Sequence, residues 1–355
     1  MFKIIIFASD LKYPNVQSFL FPFLKYKNFF ASNGFFIEFK KINCDFQSET
    51  DFIFLESKAA VLYSIGNNIS LIDLIKSLKA KANKIIFFDT SDSTEIEIPE
   101  VIPLVHRYCK AQILKNLKDY RNRFYGGRIF TNFAYKNFNI KDKKPRYSKK
   151  LTDNDLKKIK IFWNSSINNF GYDRNIYWLL FKLFKHKSLL KLPTRVFPPE
   201  RNRENLISIN FNLDYHRRSV GWFRQKSLKL LNEENIKRKN YFLYFKDLIN
   251  TKYVLSPFGW GEINYRDYES FLTGCVLIKP NMDHLKTWPN YYQKGKFYLD
   301  YDWSFSNFNE IVENLESNYS DYIEYANYVQ DYYISILQDN NLQKNILNRL
   351  NHILE

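Results

Sequence analysis

The residues with the clearest chemical potential are gathered between Thr251 and Pro280, in TKYVLSPFGWGEINYRDYESFLTGCVLIKP. Glu269 follows two close glycines, Gly259 and Gly261, and a carboxylate so placed can accept hydrogen bonds from both hydroxyls of a ribose. The plainer alternative is a surface glutamate paired with Arg266 at helical spacing, worth about 0.2–0.5 kcal/mol. Arg266 falls in the first turn of the same helix, where a cation meets the positive end of the dipole at a cost of roughly 0.3–1 kcal/mol. Binding a phosphate would offset that cost, and so would a salt bridge to Glu262 or Asp267. The two glycines either let backbone N–H groups approach a diphosphate or simply serve a tight turn.

Positioning these residues takes a strand, a loop, a helix and a second strand. Tyr253 to Leu255 and Cys275 to Ile278 are apolar runs of strand length. Between them a helix is expected from about Asn264 to Thr273, with Asn264 and Asp267 as cap and N3 partner and Gly274 as its stop. In a parallel α/β sheet the loop leaving such a strand lies at the carboxyl edge, where ligands bind. Upstream, the pattern predicts strands at Phe2–Ala8, Phe35–Phe39, Asp51–Leu55, Ala59–Ser64 and Lys84–Phe88, the last ending at Asp89. Helices are expected at Val16–Ala31, Leu71–Ala80 and Val105–Arg121. Strands separated by helices imply βαβ units and a doubly wound sheet. A polar, basic passage, IKDKKPRYSKKLTDNDLKK, reads as an exposed connection.

The expected organisation is therefore an α/β chain of two Rossmann-like domains facing across a cleft. The first covers residues 1–140, a basic linker 141–160, the second domain 161–340 and a carboxyl-terminal helix 341–355. A chain of 355 residues, 45% hydrophobic and 18% aromatic, has enough apolar surface for two cores. The second part is expected to hold a strand at Ile159–Trp163, a helix at Ile176–Phe184, a strand at Ile207–Phe211, a helix at Tyr215–Asn232 and a final helix at Leu342–Ile353.

Three cysteines, Cys44, Cys109 and Cys275, form no CxxC pair and no His-containing zinc spacing, which points to reduced thiols in a cytoplasmic protein and to no metal. The apolar run Ile176–Phe184 contains Lys182 and is far short of the roughly 20 residues that span a bilayer. The net charge of +16 invites a nucleic-acid reading. The joint abundance of Lys, Asn, Ile, Phe and Tyr fits an AT-rich coding bias better, with the excess charge also suited to phosphate-bearing substrates or to peripheral contact with an anionic inner-membrane face.

The segment SPFGWGEINYRDYESFLTGCVLIKP resembles the carboxyl-terminal signature of bacterial glycosyltransferases of the GT-B fold, in particular exostosin-like and family-1-like members. The match covers Ser256 to Asn290, with NMDHLKTWPN similar to the loop that continues the signature. The resemblance implies a nucleotide-sugar donor used as substrate rather than a resident cofactor, and a glycan or glycolipid acceptor. The setting it implies is surface polysaccharide or lipopolysaccharide synthesis, with Glu269 on the donor ribose. One departure is visible: six residues separate Glu262 from Glu269, one fewer than in many retaining members. That leaves inverting and retaining chemistry both open and weakens a donor role for Glu262.

Such enzymes hold the diphosphate with basic residues on the first strand-helix turn of the second domain, where Arg217, Arg218 and Arg224 occur in YHRRSVGWFRQKS. Arg217 and Arg224 are seven apart and share a helical face. Paired guanidinium N–H groups would stabilise a leaving diphosphate without a metal; the alternative is a solvated basic face. An inverting transferase also needs a base. Asp89 and Asp92 in FFDTSDS, at the end of a buried strand, are the first candidates and His106 the next, although Asp92 also suits a turn cap. His284 is placed to contact donor phosphate or to serve structure. Two other classes remain open, a basic nucleic-acid-binding protein and a non-catalytic scaffold of degenerate transferase fold.

Overall fold

The computed structural model describes residues 1–42, 50–184, 190–193, 195–233, 236 and 239–355. Cys44 lies outside them; Cys109 and Cys275 are buried and free.

The first lobe is a six-stranded sheet in which every strand pair is parallel, in the order β2-β1-β3-β4-β5-β7. Its strands are β1 (Phe2–Phe7), β2 (Phe35–Phe39), β3 (Phe52–Glu56), β4 (Lys84–Asp89), β5 (Arg107–Lys110) and β7 (Ile159–Ile161). Between β1 and β4 lie the helices α1 (Pro14–Lys25), α2 (Lys27–Ser32), α3 (Ser57–Gly66) and α4 (Leu71–Lys79). The central strands are apolar on both faces, as a parallel sheet covered by helices requires. Ile4 and Phe54 belong to one core, Ile5 and Ile53 to the other.

The second lobe is a four-stranded parallel sheet, β12-β10-β9-β8. It is built from β8 (Asn205–Ser208), β9 (Thr251–Leu255), β10 (Val276–Pro280) and β12 (Leu299–Tyr301), with α7 (Arg174–Phe184), α8 (Arg218–Leu230), α9 (Tyr241–Ile249), α10 (Tyr265–Thr273) and α11 (Phe308–Glu313). The expected two-lobed α/β architecture is present. The carboxyl terminus returns to the first lobe: α12 (Tyr319–Leu337) packs on α10 and β10, and α13 (Asp339–Leu354) reaches β5. Asp339 at the start of α13 accepts hydrogen bonds from Tyr26 (2.6 Å) and Lys25 (2.8 Å) of the first lobe.

Three expectations are corrected. Ala59–Ser64 is part of helix α3, because Glu56 caps it by accepting from the N–H groups of Lys58 and Ala59 at 2.7 and 2.9 Å. Val105–Arg121 is not a helix. It comprises β5, β6 (Gln112–Leu114) and a 3₁₀ turn at Leu117–Arg121, so His106 precedes a strand. The apolar spacing of Tyr108, Ile113 and Leu117 suits a helix locally, but β5 pairs with β4 and β7, and distant partners override local pattern.

The third correction concerns the basic passage, which is not an exposed connection. The basic passage folds onto the first lobe through α5 (Ile129–Phe138), the Tyr125–Tyr147 bridge and α6 (Asp153–Lys158), and it delivers β7 into the first sheet. The strand Ile159–Ile161 therefore belongs to the first sheet rather than to the second part of the chain. The two lobes are also sewn together: β6 of the first lobe pairs antiparallel with β11 (Leu285–Thr287) of the second, matching Leu114 to Leu285 and Gln112 to Thr287.

Candidate active site

The carboxyl ends of both sheets face one cleft. From the first lobe come the residues after β4 (Thr90, Ser91, Asp92) and after β7 (Phe162 to Ser165). Tyr215, Arg224 and the glycine loop come from the second. A cavity of about 180 Å³ lies between them and adjoins a larger one of about 920 Å³ that opens over the first lobe. Asn15, Asp92, Trp260 and Tyr265 line both.

Helix α10 forms as its sequence dictates. Asn264 and Asp267 make a reciprocal capping box, and Gly274 closes the helix in the left-handed region at φ 65°. Asp267 is fully buried and does more than cap. Its carboxylate receives Ser256 Oγ (2.5 Å) and Tyr292 Oη (2.8 Å) and pairs with buried Lys279 at 3.1 Å, which ties the helix start to β9 and β10.

Both glycines permit close approach, and Gly259 has no free N–H to offer. The N–H of Gly259 is already bonded to the carbonyl of Gly261 (3.1 Å). A Cβ on Gly259 would lie 2.4 Å from Nη2 of Arg224, and one on Gly261 would lie 2.7 Å from the backbone nitrogen of Ser93 in the other lobe. Their lack of a side chain lets an arginine settle on the loop and lets the lobes touch.

Arg224 is the best-fixed cation at the site. Its guanidinium donates to the carbonyls of Phe258 (3.1 Å) and Asn212 (3.0 Å) and to Oδ1 of Asn264 (3.1 Å), and it lies over the rings of Phe211 and Tyr215. Burial pushes its pKa down to about 10, so it stays charged at neutral pH. Arg217 does not share this seat. It bonds to Asp142 (3.3 Å) and to the carbonyl of Gly126, both in the first lobe, and lines the larger cavity. Arg218 is exposed and lines neither.

Glu269 is buried, and its neighbours are Arg266, Arg174 and Tyr244 rather than the lining of either cavity. Burial raises its pKa despite the two arginines. Arg266 pairs with neither Glu262 nor Asp267. It donates to the carbonyl of Asn210, stacks over Phe211 and leaves Nε without a partner, and Tyr244 Oη lies against both Arg266 and Glu269. Together these four side chains make a partly buried polar cluster.

Among the expected bases, Asp89 and Asp92 part company. Asp89 is fully buried and its oxygens are taken by Tyr108 Oη (2.5 Å), Lys110 Nζ (3.0 Å) and the N–H of Ser91 (2.9 Å). Burial alone would raise its pKa; Lys110 and these donors hold it below the usual range instead. Such a carboxylate binds the ends of β4 and β5 together and is a poor proton acceptor. Asp92 is exposed at the junction of the cavities and is aligned by Asn15 Nδ2 (2.9 Å), while Asn15 Oδ1 accepts from Tyr265 Oη (2.7 Å). His106 sits at the amino end of β5, the edge opposite the cleft, beside the end of α13. His284 lies 3.6 Å from Glu262, with its ring against Phe258 and Trp303.

Glu262 is a tie between lobes. Its buried carboxylate accepts from Thr94 Oγ1 (2.8 Å) and the N–H of Thr94 (3.1 Å), across the junction. Burial would raise its pKa, but the His284 ring and Thr94 outweigh this and hold it below the usual range.

Several residues of the larger cavity are absent from the sequence-based expectations. Arg128 is buried and shares Glu95 with Arg146, at 3.5 and 2.6 Å. It lies over Trp260 and leaves Nε without a partner. Glu97 lines the same cavity, its pKa raised by partial burial and by the nearby carboxylates of Asp89 and Glu95. A basic residue after Gly126-Gly127 was the available hint for Arg128; its partner Trp260 comes from the other lobe. Among the described residues no group of three or more His, Cys, Asp or Glu side chains could hold a metal ion.

No protein-family model matches the chain, and no curated protein matches it. Solved structures similar to it along its whole length include a glycosyltransferase from Rickettsia africae, at 9% identity and TM-score 0.46 over 100% of this chain and 99% of that one. HepE from Anabaena in complex with UDP aligns at 10% identity and TM-score 0.46, over 99% and 100%. An alpha-glucosyltransferase in complex with UDP-glucose and DNA containing an abasic site aligns at 9% and 0.44, over 100% of each chain. At these scores the likeness follows entire chains without close superposition.

Proposed function

We propose that the chain is a metal-independent glycosyltransferase that moves a sugar from a nucleotide-sugar donor to a hydroxyl of a glycan acceptor, in the making of a surface polysaccharide or lipopolysaccharide. The observation that carries this reading is Arg224. A buried guanidinium, fixed by three hydrogen bonds, sits where the glycine loop and the first strand-helix turn converge at the carboxyl edge of the second sheet, and it faces an acid, Asp92, from the first. A preorganised cation in a partly dry cleft stabilises charge developing on a leaving diphosphate without rearranging.

In this reading the second lobe takes the donor. Glu269 is assigned to the ribose hydroxyls; because it is buried and lines neither cavity, the donor end must open to reach it. Arg266, with its unpartnered Nε, supports that end. Arg224 meets the diphosphate, and Arg217 approaches it from the wall shared with the first lobe. The acceptor enters over the larger cavity. In an inverting course its hydroxyl gives a proton to Asp92 as the oxygen attacks the anomeric carbon, and the bond from that carbon to the diphosphate breaks with the electron pair leaving on phosphate.

Thermal-shift screening against UDP-, GDP-, dTDP- and CMP-sugars tests this. One nucleotide series should raise the midpoint for the wild type, by the mass action of a ligand that binds only the folded state, and Arg224→Ala should remove the shift. A chain that answers to single-stranded DNA and to no sugar nucleotide would overturn the reading.

A further inference from the structure

Helix α7 and the start of α9 expose an apolar face that no other described residue covers. On α7, Ile176, Leu179, Leu183 and Phe184 are 57–68% exposed, and on α9 Phe242 and Leu243 are 56% and 48% exposed. Ile176, Leu179 and Leu183 recur at steps of three and four, so they form one stripe along the outer side of the helix. The opposite side is seated on the protein: Phe181 is buried, and Trp178 stacks on it at 5.5 Å. The two helices are joined at Tyr172, whose ring lies 5.2 Å from that of Phe242. A helix with an apolar side turned inward and a second one turned outward needs a second apolar environment.

The rim of the face identifies that environment. From Arg174 to Pro199 the sequence has six Lys or Arg residues and no Asp or Glu. Lys182 lies on the helix over the Trp178 ring, Lys191 over Tyr177 and Arg195 over Tyr172, so these cations border the apolar stripe. An apolar centre with a cationic border matches a bilayer surface carrying anionic headgroups, into which leucine and phenylalanine side chains dip while lysines remain among the phosphates. A second copy of this chain is a poorer fit, because packing the face on itself would set one cationic rim against another.

We propose that α7 and the start of α9 form a peripheral docking surface for an anionic lipid bilayer. No helix among the described residues is long and apolar enough to cross a membrane, and the contact is interfacial. This inference does not depend on the transferase reading, since vesicle binding is read without any donor or acceptor.

The test is cosedimentation of the full chain with vesicles of phosphatidylcholine alone or mixed with phosphatidylglycerol. Binding to the mixed vesicles should be stronger by about tenfold or more, given roughly 1 kcal/mol per cation near an anionic surface. The Leu179→Glu/Leu183→Glu variant should lose more than about tenfold of that binding while keeping its melting midpoint, because two apolar anchors are removed. Lys182→Gln/Lys191→Gln changes exposed side chains only. It should lower the preference for phosphatidylglycerol by about tenfold or more, at roughly 1 kcal/mol for each cation removed, which keeps the idea testable if the glutamate variant fails to fold. Equal binding by both variants and the wild type would overturn the proposal. So would a wild type that ignores both vesicles, or one that sediments as a dimer which Leu179→Glu/Leu183→Glu converts to monomer.

Discussion

Replacing Thr94 by valine removes one hydroxyl and little volume, and it probes the tie between the lobes. In the wild type that hydroxyl donates at 2.8 Å to Glu262, whose carboxylate is fully buried. What remains is the Thr94 N–H at 3.1 Å and the His284 ring at 3.6 Å. A hydrogen bond to a charged group contributes about 1.5–3 kcal/mol, and a buried acceptor left short of donors loses a similar amount. Thr94→Val should therefore lower unfolding stability by about 1.5–3 kcal/mol at neutral pH, measured by urea or guanidinium titration with the slope unchanged.

The sign of the pH dependence follows from the depressed pKa of Glu262. A carboxyl whose folded pKa lies below its unfolded value contributes stability that is complete above the unfolded value and is lost as pH falls through the folded one. The hydroxyl is part of what lowers the folded pKa, so the wild type has more of this contribution to lose. The gap between wild type and Thr94→Val should hold from neutral pH down to the ordinary glutamate range and narrow below it. A gap under about 0.5 kcal/mol at neutral pH, the scatter of an ordinary surface substitution, would refute the tie. A gap that widens as pH falls would refute the ionised state of Glu262.

Gly261→Ala should drive a methyl against the Ser93 backbone, 2.7 Å from the ideal Cβ. The expected cost is about 1–3 kcal/mol from overpacking, with Gly261→Ser at least as costly; an alanine variant as stable as the wild type would show that the junction yields freely. Lys279→Met leaves Asp267 buried beside a lost partner, both side chains being fully shielded in the wild type, and should cost about 3–5 kcal/mol in denaturant titration. Asp92→Asn should cut kcat by about 10²–10⁴ while stability stays within about 0.5 kcal/mol. Asp89→Asn should do the reverse in kind, destabilising by about 3–5 kcal/mol because Lys110 loses its counter-charge; full activity in Asp92→Asn would remove it as the base.

What could be read from the sequence was local. Helix α10 declares its start in Asn264 and Asp267 and its stop in Gly274, and β1, β4, β9 and β10 are apolar runs bounded by polar or turn residues. What could not be read was set by partners far along the chain. Arg107–Lys110 becomes a strand because β4 and β7 flank it. Asp142 lies in a basic stretch that looks like a solvated connection, yet it is buried because Ser219 and Arg217 close over it from the second lobe. The same limit applies to the site. Asp89 and Asp92 are indistinguishable as letters three apart, and only the placement of Tyr108 and Lys110 separates a structural carboxylate from a free one. Arg128 gains its significance from Trp260, a residue of the facing lobe.

The β6–β11 ribbon makes the two lobes thermodynamically dependent on each other. Each lobe supplies one short strand, three residues long, whose ladder partner belongs to the other. A two-stranded ribbon of that size is not stable in isolation, so melting either lobe strips the ribbon from its companion, together with the Glu262 tie and the seat of α13. Heat-capacity scans of the intact chain should show one transition rather than two. Cutting the gene after Ile161 should yield halves with unpaired edges that aggregate instead of two autonomous domains.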